Sequence, residues 1–390
     1  MILYLIIFII PVLAYFTGPA ENRNKKFLLC YMTALMIFVG LSDMFGGYDR
    51  YIYGSVFDAI ANGITDGENY QTIRAFKHFE IGYSTLTYII AWITENRYIY
   101  IFIITALIYF FIYKSFERVM PNYPLAMIIF LGMMFFFTFT YLRQVLAFSI
   151  AWYGTRYIID KKYWKFFLIV LIVTLMHKSG IVFAILCFVP LKKLRPGTII
   201  LILIVCGFVG FSGVAGHFYD AFTEVSDMEL KNYNAEQEFR IAYMLEVAFF
   251  AWFILAKYDK IQPTRSNLIY LNMAWCFCIL LLLFIRSSDG GRVAWFFTLG
   301  IIYTLTLICI PDHKQFIEKG RNFLSSLMIV TMLALYTRVY VSWQNYYFLY
   351  PYKTFLTDGV RYPDYIWERY VYDHNYDLDK FYRPAFRFLK

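Results

Sequence analysis

The chain has 390 residues, 60% of them hydrophobic and 16% charged, with a formal net charge of +9. Apolar runs long enough to cross a bilayer recur from end to end, which excludes an ordinary soluble enzyme and predicts an all-α polytopic integral membrane protein. The basic excess does not read as a nucleic-acid surface, because it sits in short loops between apolar runs, where the positive-inside rule accounts for it.

Taken in chain order, the apolar runs predict about 12 transmembrane helices, at roughly 2–17, 27–45, 98–114, 124–140, 143–159, 164–177, 180–191, 198–214, 241–257, 267–285, 292–310 and 323–342. The opening stretch, Met1–Phe16, has no basic residue ahead of it and is followed by Arg23, Lys25 and Lys26, so it reads as a first span rather than a cleaved leader. Cys30, Cys187, Cys206, Cys276, Cys278 and Cys309 all lie in apolar runs without paired spacing, which predicts neither a zinc site nor a disulfide framework.

Six basic clusters set the expected orientation: Arg23/Lys25/Lys26, Lys114/Arg118, Lys161/Lys162/Lys165, Lys192/Lys193/Arg195, Lys257/Lys260/Arg265 and Lys314/Lys319/Arg321. Placing all six in the cytoplasm is consistent with helices alternating between them and puts both termini outside. The segment Ile81–Ile93 is too short to fit that alternation, and is expected to be a re-entrant or interfacial helix on the outer face. The expected organisation is a multi-span membrane domain over 1–342 with outer-face loops 46–80 and 215–240. A Tyr-rich outer-face tail over 343–390 follows, including Tyr346, Tyr347, Tyr350 and Tyr352.

Threaded this way, several polar features fall on one face: Gly46-Gly47-Tyr48-Asp49-Arg50, Glu80, Arg143-Gln144, His177-Lys178-Ser179 and the Arg286–Arg292 loop. Ionisable groups beside membrane spans are expensive and point to function. Their order along the chain resembles the EpsG family of polysaccharide polymerases, related to Wzy-type O-antigen and capsule polymerases. The resemblance rests on Gly47-Tyr48-Asp49 with Tyr51 and Phe57, Glu80-Ile81-Gly82-Tyr83, Leu142-Arg143-Gln144, the His177-Lys178-Ser179 break, and Arg286 with Arg292. It covers roughly residues 1–345, and the tail from 346 has no match in it.

The resemblance implies an inner-membrane glycosyltransferase acting at the outer, periplasmic face. A growing glycan would pass from undecaprenyl diphosphate to a sugar hydroxyl of an incoming lipid-linked repeat unit. The implied partners are that lipid-linked oligosaccharide, the bilayer, and other polysaccharide-assembly proteins such as a flippase or a chain-length regulator. No metal, nucleotide sugar or other cofactor is expected, because the lipid diphosphate is already activated.

Such a reaction needs forked cations for the diphosphate and a base for the acceptor hydroxyl. Arg143, with Gln144, heads a span where a helix N-terminus favours an anion; the alternative is a snorkelling or ion-paired arginine. Arg286 and Arg292 flank a loop with two glycines that suits a phosphate, although Asp289 offers a local ion pair. His177 is a base candidate or a helix cap, and Lys178 is placed to reach phosphate. Asp49 and Glu80 are the carboxylate candidates, with loop amides, Arg50 and Lys77 as their ordinary partners. Tyr48 and Tyr83 complete the expected substrate-binding set. Two other classes compete: a transporter or flippase of lipid-linked glycans, and a membrane acyltransferase of surface sugars. The first predicts internal repeats and polar groups spread through the bilayer depth, the second a catalytic histidine open to a cytoplasmic acyl donor.

Overall fold

A computed structural model describes residues 1–19, 21–42, 48–215, 239–287, 290–310 and 323–343, with 349, 352, 354, 356 and 383–389; the side chains of 48, 290 and 389 lie outside it. Among the described residues the secondary structure is helical, apart from an isolated bridge between Ser42 and Thr354. The helices are α1 (Ile2–Thr17), α2 (Lys25–Leu41), α3 (Tyr48–Thr65), α4 (Ile81–Ile93), α5 (Arg97–Val119), α6 (Tyr123–Met133), α7 (Phe137–Thr140) and α8 (Leu142–Ile159). They continue with α9 (Tyr163–Met176), α10 (Pro196–Ser212), α11 (Ile241–Ala256), α12 (Arg265–Leu283), α13 (Gly290–Ala294), α14 (Thr298–Cys309) and α15 (Phe323–Trp343).

Local chemistry explains many of the boundaries. Asn24, Asn96, Asn122 and Thr264 each accept a main-chain N–H in the first turn of α2, α5, α6 and α12. Gly213, at φ +77°, ends α10 in the left-handed conformation that glycine adopts without strain. By length and composition four helical stretches can cross a membrane: α5, α12, Gly291–Cys309 and α15. The protein is a multi-pass membrane protein, and its remaining apolar helices run from 10 to 17 residues.

Three stretches differ from the expectation. The segment 46–80, expected as a loop, contains the 18-residue helix α3. Tyr53, Phe57, Ile60 and Ala61 form its buried stripe at helical spacing, while polar residues elsewhere dilute the apolar signal. The expected span 124–140 breaks between α6 and α7, where Phe135 and Phe136 pack against Tyr336 instead of continuing the helix. The expected span 180–191 is a ten-residue 3₁₀ helix, Lys178–Cys187, rising about 20 Å and short of a bilayer core. Helix α4 does form as a separate element; its 13 residues also rise only about 20 Å.

The chain divides into two compact units, one of Met1–Tyr153, Leu171–Lys178 and Pro311–Lys390, the other of Gly154–Val170 and Ser179–Ile310. In the first, α2 packs on α5, α6 lies against α1 and α15, and α3 packs on both α4 and α5. Buried tyrosines tie these helices by main-chain bonds: Tyr31 donates to Ile7 O at 2.6 Å and Tyr336 to Tyr4 O at 3.0 Å. In the second, α12 is buried nearly all round against α14, α10 and α11. Its basic residues turn onto carbonyls: Arg265 donates to Ile158 O at 2.8 Å, Lys193 to Tyr258 O at 2.8 Å, and Lys260 to Ile310 O.

Candidate functional site

Helices α3 and α4 build one wall of the site in the first unit. The Tyr53 and Tyr83 rings meet at 5.7 Å, and the two helices run side by side in the same direction. The buried Arg50 fixes the head of α3. Its guanidinium donates to Phe139 O at 3.0 Å, Val39 O at 3.1 Å and Ser42 O at 2.8 Å, so it binds the ends of α2 and α7. Asp49, its neighbour in the first turn of α3, is half-buried and interacts electrostatically with Tyr53.

The head of α4 approaches the end of α9 closely. A Cβ on Gly82 would stand 2.7 Å from Leu175 O, so only glycine allows this contact. The approach delivers the Glu80 carboxylate to the start of the next segment: Oε1 accepts the main-chain N–H of Lys178 at 3.0 Å. Its other oxygen, Oε2, accepts from the Arg143 guanidinium at 2.6 Å. Burial would raise the Glu80 carboxyl, but Arg143, His177 and the Lys178 N–H together outweigh it and hold it below the ordinary carboxylate range.

Arg143 is the second residue of α8. One terminal nitrogen serves Glu80, the guanidinium lies 4.9 Å from the Phe79 ring centroid, and its Nε has no hydrogen-bond partner among the described residues. The arginine side chain is 24% exposed and that of Glu80 9%, so the pair opens on the arginine side. Beneath it Tyr100 donates to Tyr83 at 2.9 Å, and Tyr100 and Thr87 share a hydroxyl contact at 3.2 Å, which fixes the Tyr83 ring.

Glu80, Tyr83, Arg143, His177 and Lys178 therefore come together, with Asp49 joined to them through Tyr53. Gln144, beside Arg143, is buried. Sequence reasoning missed Tyr53 and Phe79, although Tyr53 falls one helical turn after Asp49 and Phe79 immediately precedes Glu80. Arg286 and Arg292 belong to the second unit. There Arg286 donates to Phe211 O at 3.3 Å, and Arg292, in α13, is half-buried. The Tyr48 side chain, Asp289, most of the 215–240 loop and most of the 343–390 tail lie outside the described residues.

A family model described as the EpsG family matches residues 27–354. The chain belongs to the EpsG family. The match takes in every member of the cluster, from Asp49 to Lys178, and both arginines of the second unit. EpsG membership points to a polysaccharide polymerase in a membrane. No curated protein and no solved structure matches the chain.

Proposed function

We propose that this protein polymerises undecaprenyl-diphosphate-linked oligosaccharide repeat units at the outer face of the cytoplasmic membrane. The observation that carries the reading is the Glu80–Arg143 pair: an arginine at a helix N-terminus, held by one terminal nitrogen and partly open to its surroundings. In the reaction the bond between the anomeric carbon and the diphosphate oxygen breaks. The acceptor hydroxyl oxygen bonds to that carbon, its proton passes to a base, and undecaprenyl diphosphate leaves. Arg143 binds the departing diphosphate through its remaining donors, helped by the Lys178 ammonium and the N-terminal potential of α8. Charge stabilisation of this kind is the largest single contribution an enzyme makes to such a step. No metal ion is needed because the donor is already activated.

Glu80, doubly bonded and held below the ordinary carboxylate range, is a poor base and acts as the holder of Arg143. The acceptor proton goes to Asp49 or His177, while Gln144 and Tyr83, both buried, pack within the wall rather than on its surface. Replacing the base abolishes chain growth while lipid-linked substrate still binds, so Asp49→Asn and His177→Gln in parallel identify it.

The test of the function is complementation of a deletion strain, read as glycan length on a gel. The deletion should leave single repeat units, restored to polymer by the wild type but not by Arg143→Ala. Full-length polymer from Arg143→Ala would remove Arg143 from the reaction. Topology reporters placed after Asp66 and after Arg97 should report the same side; opposite sides would mean that α4 crosses and would overturn the outer-face placement.

A further inference from the structure

The family match ends at residue 354, yet the C-terminal residues 383–389 dock onto the same wall that carries the candidate site. Arg387 uses all three guanidinium nitrogens. Nε donates to Ala91 O at 2.6 Å, one terminal nitrogen to Ala61 O at 2.8 Å, and the other meets Thr65 Oγ1 at 3.1 Å and the Glu95 carboxylate at 2.7 Å. Ala61 lies near the end of α3 and Ala91 in the last turn of α4. Asn96 adds a bond from its amide to Arg383 O at 2.9 Å, while its oxygen caps α5.

The pairing has a consistent register. Tyr53 meets Tyr83 at one level, and eight residues further along each helix Ala61 and Ala91 meet the same guanidinium. Parallel helices align their dipoles unfavourably, with two partial negative charges at one end. Arg387 sits at that end, and its fork bridges two carbonyls and a carboxylate in a way the point charge of a lysine cannot. Asp49 and Glu80 occupy the opposite, positive ends, where acidic groups are favoured. The cation and the two acids thus stand at opposite ends of one helix pair.

We propose that Arg387 is a positioning residue, a clasp that fixes the spacing of α3 and α4 and so sets the distance between Asp49 and the Glu80–Arg143 pair. The role rests on the polymerase reading for its activity readout, but the clasp itself does not. With the clasp gone the two helices splay, Glu80 loses its hold on Arg143 and on the Lys178 N–H, and its carboxyl returns toward the ordinary range.

The experiment uses the full-length protein in detergent, with lipid-linked repeat units extracted from the deletion strain as substrate. Arg387→Ala should speed amide exchange over 90–94, slow chain growth about ten- to hundredfold, and move the acid limb of the pH profile upward. Arg387→Lys should recover only part of each, and unfolding of the rest of the protein should be unchanged. Wild-type exchange in Arg387→Ala overturns the clasp. Faster exchange with unchanged chain growth and an unmoved acid limb overturns the positioning role. Should the wild type itself extend no glycan, the polymerase reading falls, and the exchange result alone decides the clasp.

Discussion

Two arginine–carboxylate pairs in the first unit use the same chemistry for opposite ends. Asp58 on α3 and Arg97 at the start of α5 are both sealed, with side chains 5% and 1% exposed. Glu80 and Arg143 also make a close pair, but the arginine keeps 24% of its side chain open. A sealed pair fastens two helices; a pair open on its cationic side, with donors unused, can serve something else. Exposure together with unused donors, rather than the ion pair itself, separates site from fastener: the Arg387–Glu95 pair is 18% and 9% exposed, yet all three guanidinium nitrogens of Arg387 are engaged.

The largest effect should come from breaking the sealed pair on one side only. Asp58→Ala leaves the Arg97 guanidinium buried without its partner, a loss of about 3–5 kcal/mol that should show as a lower Tm in detergent and depleted membrane protein. The double variant Asp58→Leu/Arg97→Met should recover most of that stability, because an apolar pair removes the desolvation penalty of both charges. A double variant as unstable as the single one would mean that the pair does more than fasten α3 to α5.

The open pair should respond in activity, not in stability. Arg143→Lys keeps the charge but loses the fork, and chain growth should fall about 10²–10³-fold with membrane protein near wild-type level. An equal fall in protein amount would turn this pair into a second fastener and erase the contrast.

A smaller effect is expected for Glu80→Gln, which keeps the bulk and an acceptor for the Lys178 N–H. Chain growth should drop about tenfold, as the amide holds Arg143 less firmly. Because the folded Glu80 carboxyl lies below its ordinary value, its grip on Arg143 is complete above the ordinary carboxylate range, about pH 4.3, and is lost as pH falls through the lowered value. Wild type should show that acid limb and Glu80→Gln should lack it; an identical limb in both would assign it to another group. The smallest effect belongs to a surface control: Glu117, itself partly buried, meets the exposed Lys25 and the partly exposed Lys114 at 3.3 Å each, and Glu117→Ala should change stability by less than about 1 kcal/mol.

Much of the site was legible in the chain. Glu80, Arg143, His177 and Lys178 stand out because ionisable residues beside apolar runs are conspicuous whatever they touch. What they touch was not legible. Glu80 read as a possible base, but two bonds make it a holder, and that follows from contacts with residues 63 and 98 positions away. Arg50 read as a partner for Asp49, and nothing in the chain showed that its guanidinium would also reach three carbonyls. Helix α3 was hidden inside an apparent loop, since a stripe of four buried residues among polar ones does not raise mean hydropathy.

Composition and periodicity alone therefore determined that this is a helical, multi-pass membrane protein, because a bilayer demands long apolar helices regardless of how they pack. The order of motifs determined its family resemblance. Only the tertiary structure decided that α3 and α4 run in parallel, that Gly82 brings Glu80 to α9, and that Arg387 closes the far end of the pair. Those outcomes depend on close approaches between distant segments, and no local pattern in a chain encodes which carbonyl a given guanidinium will meet.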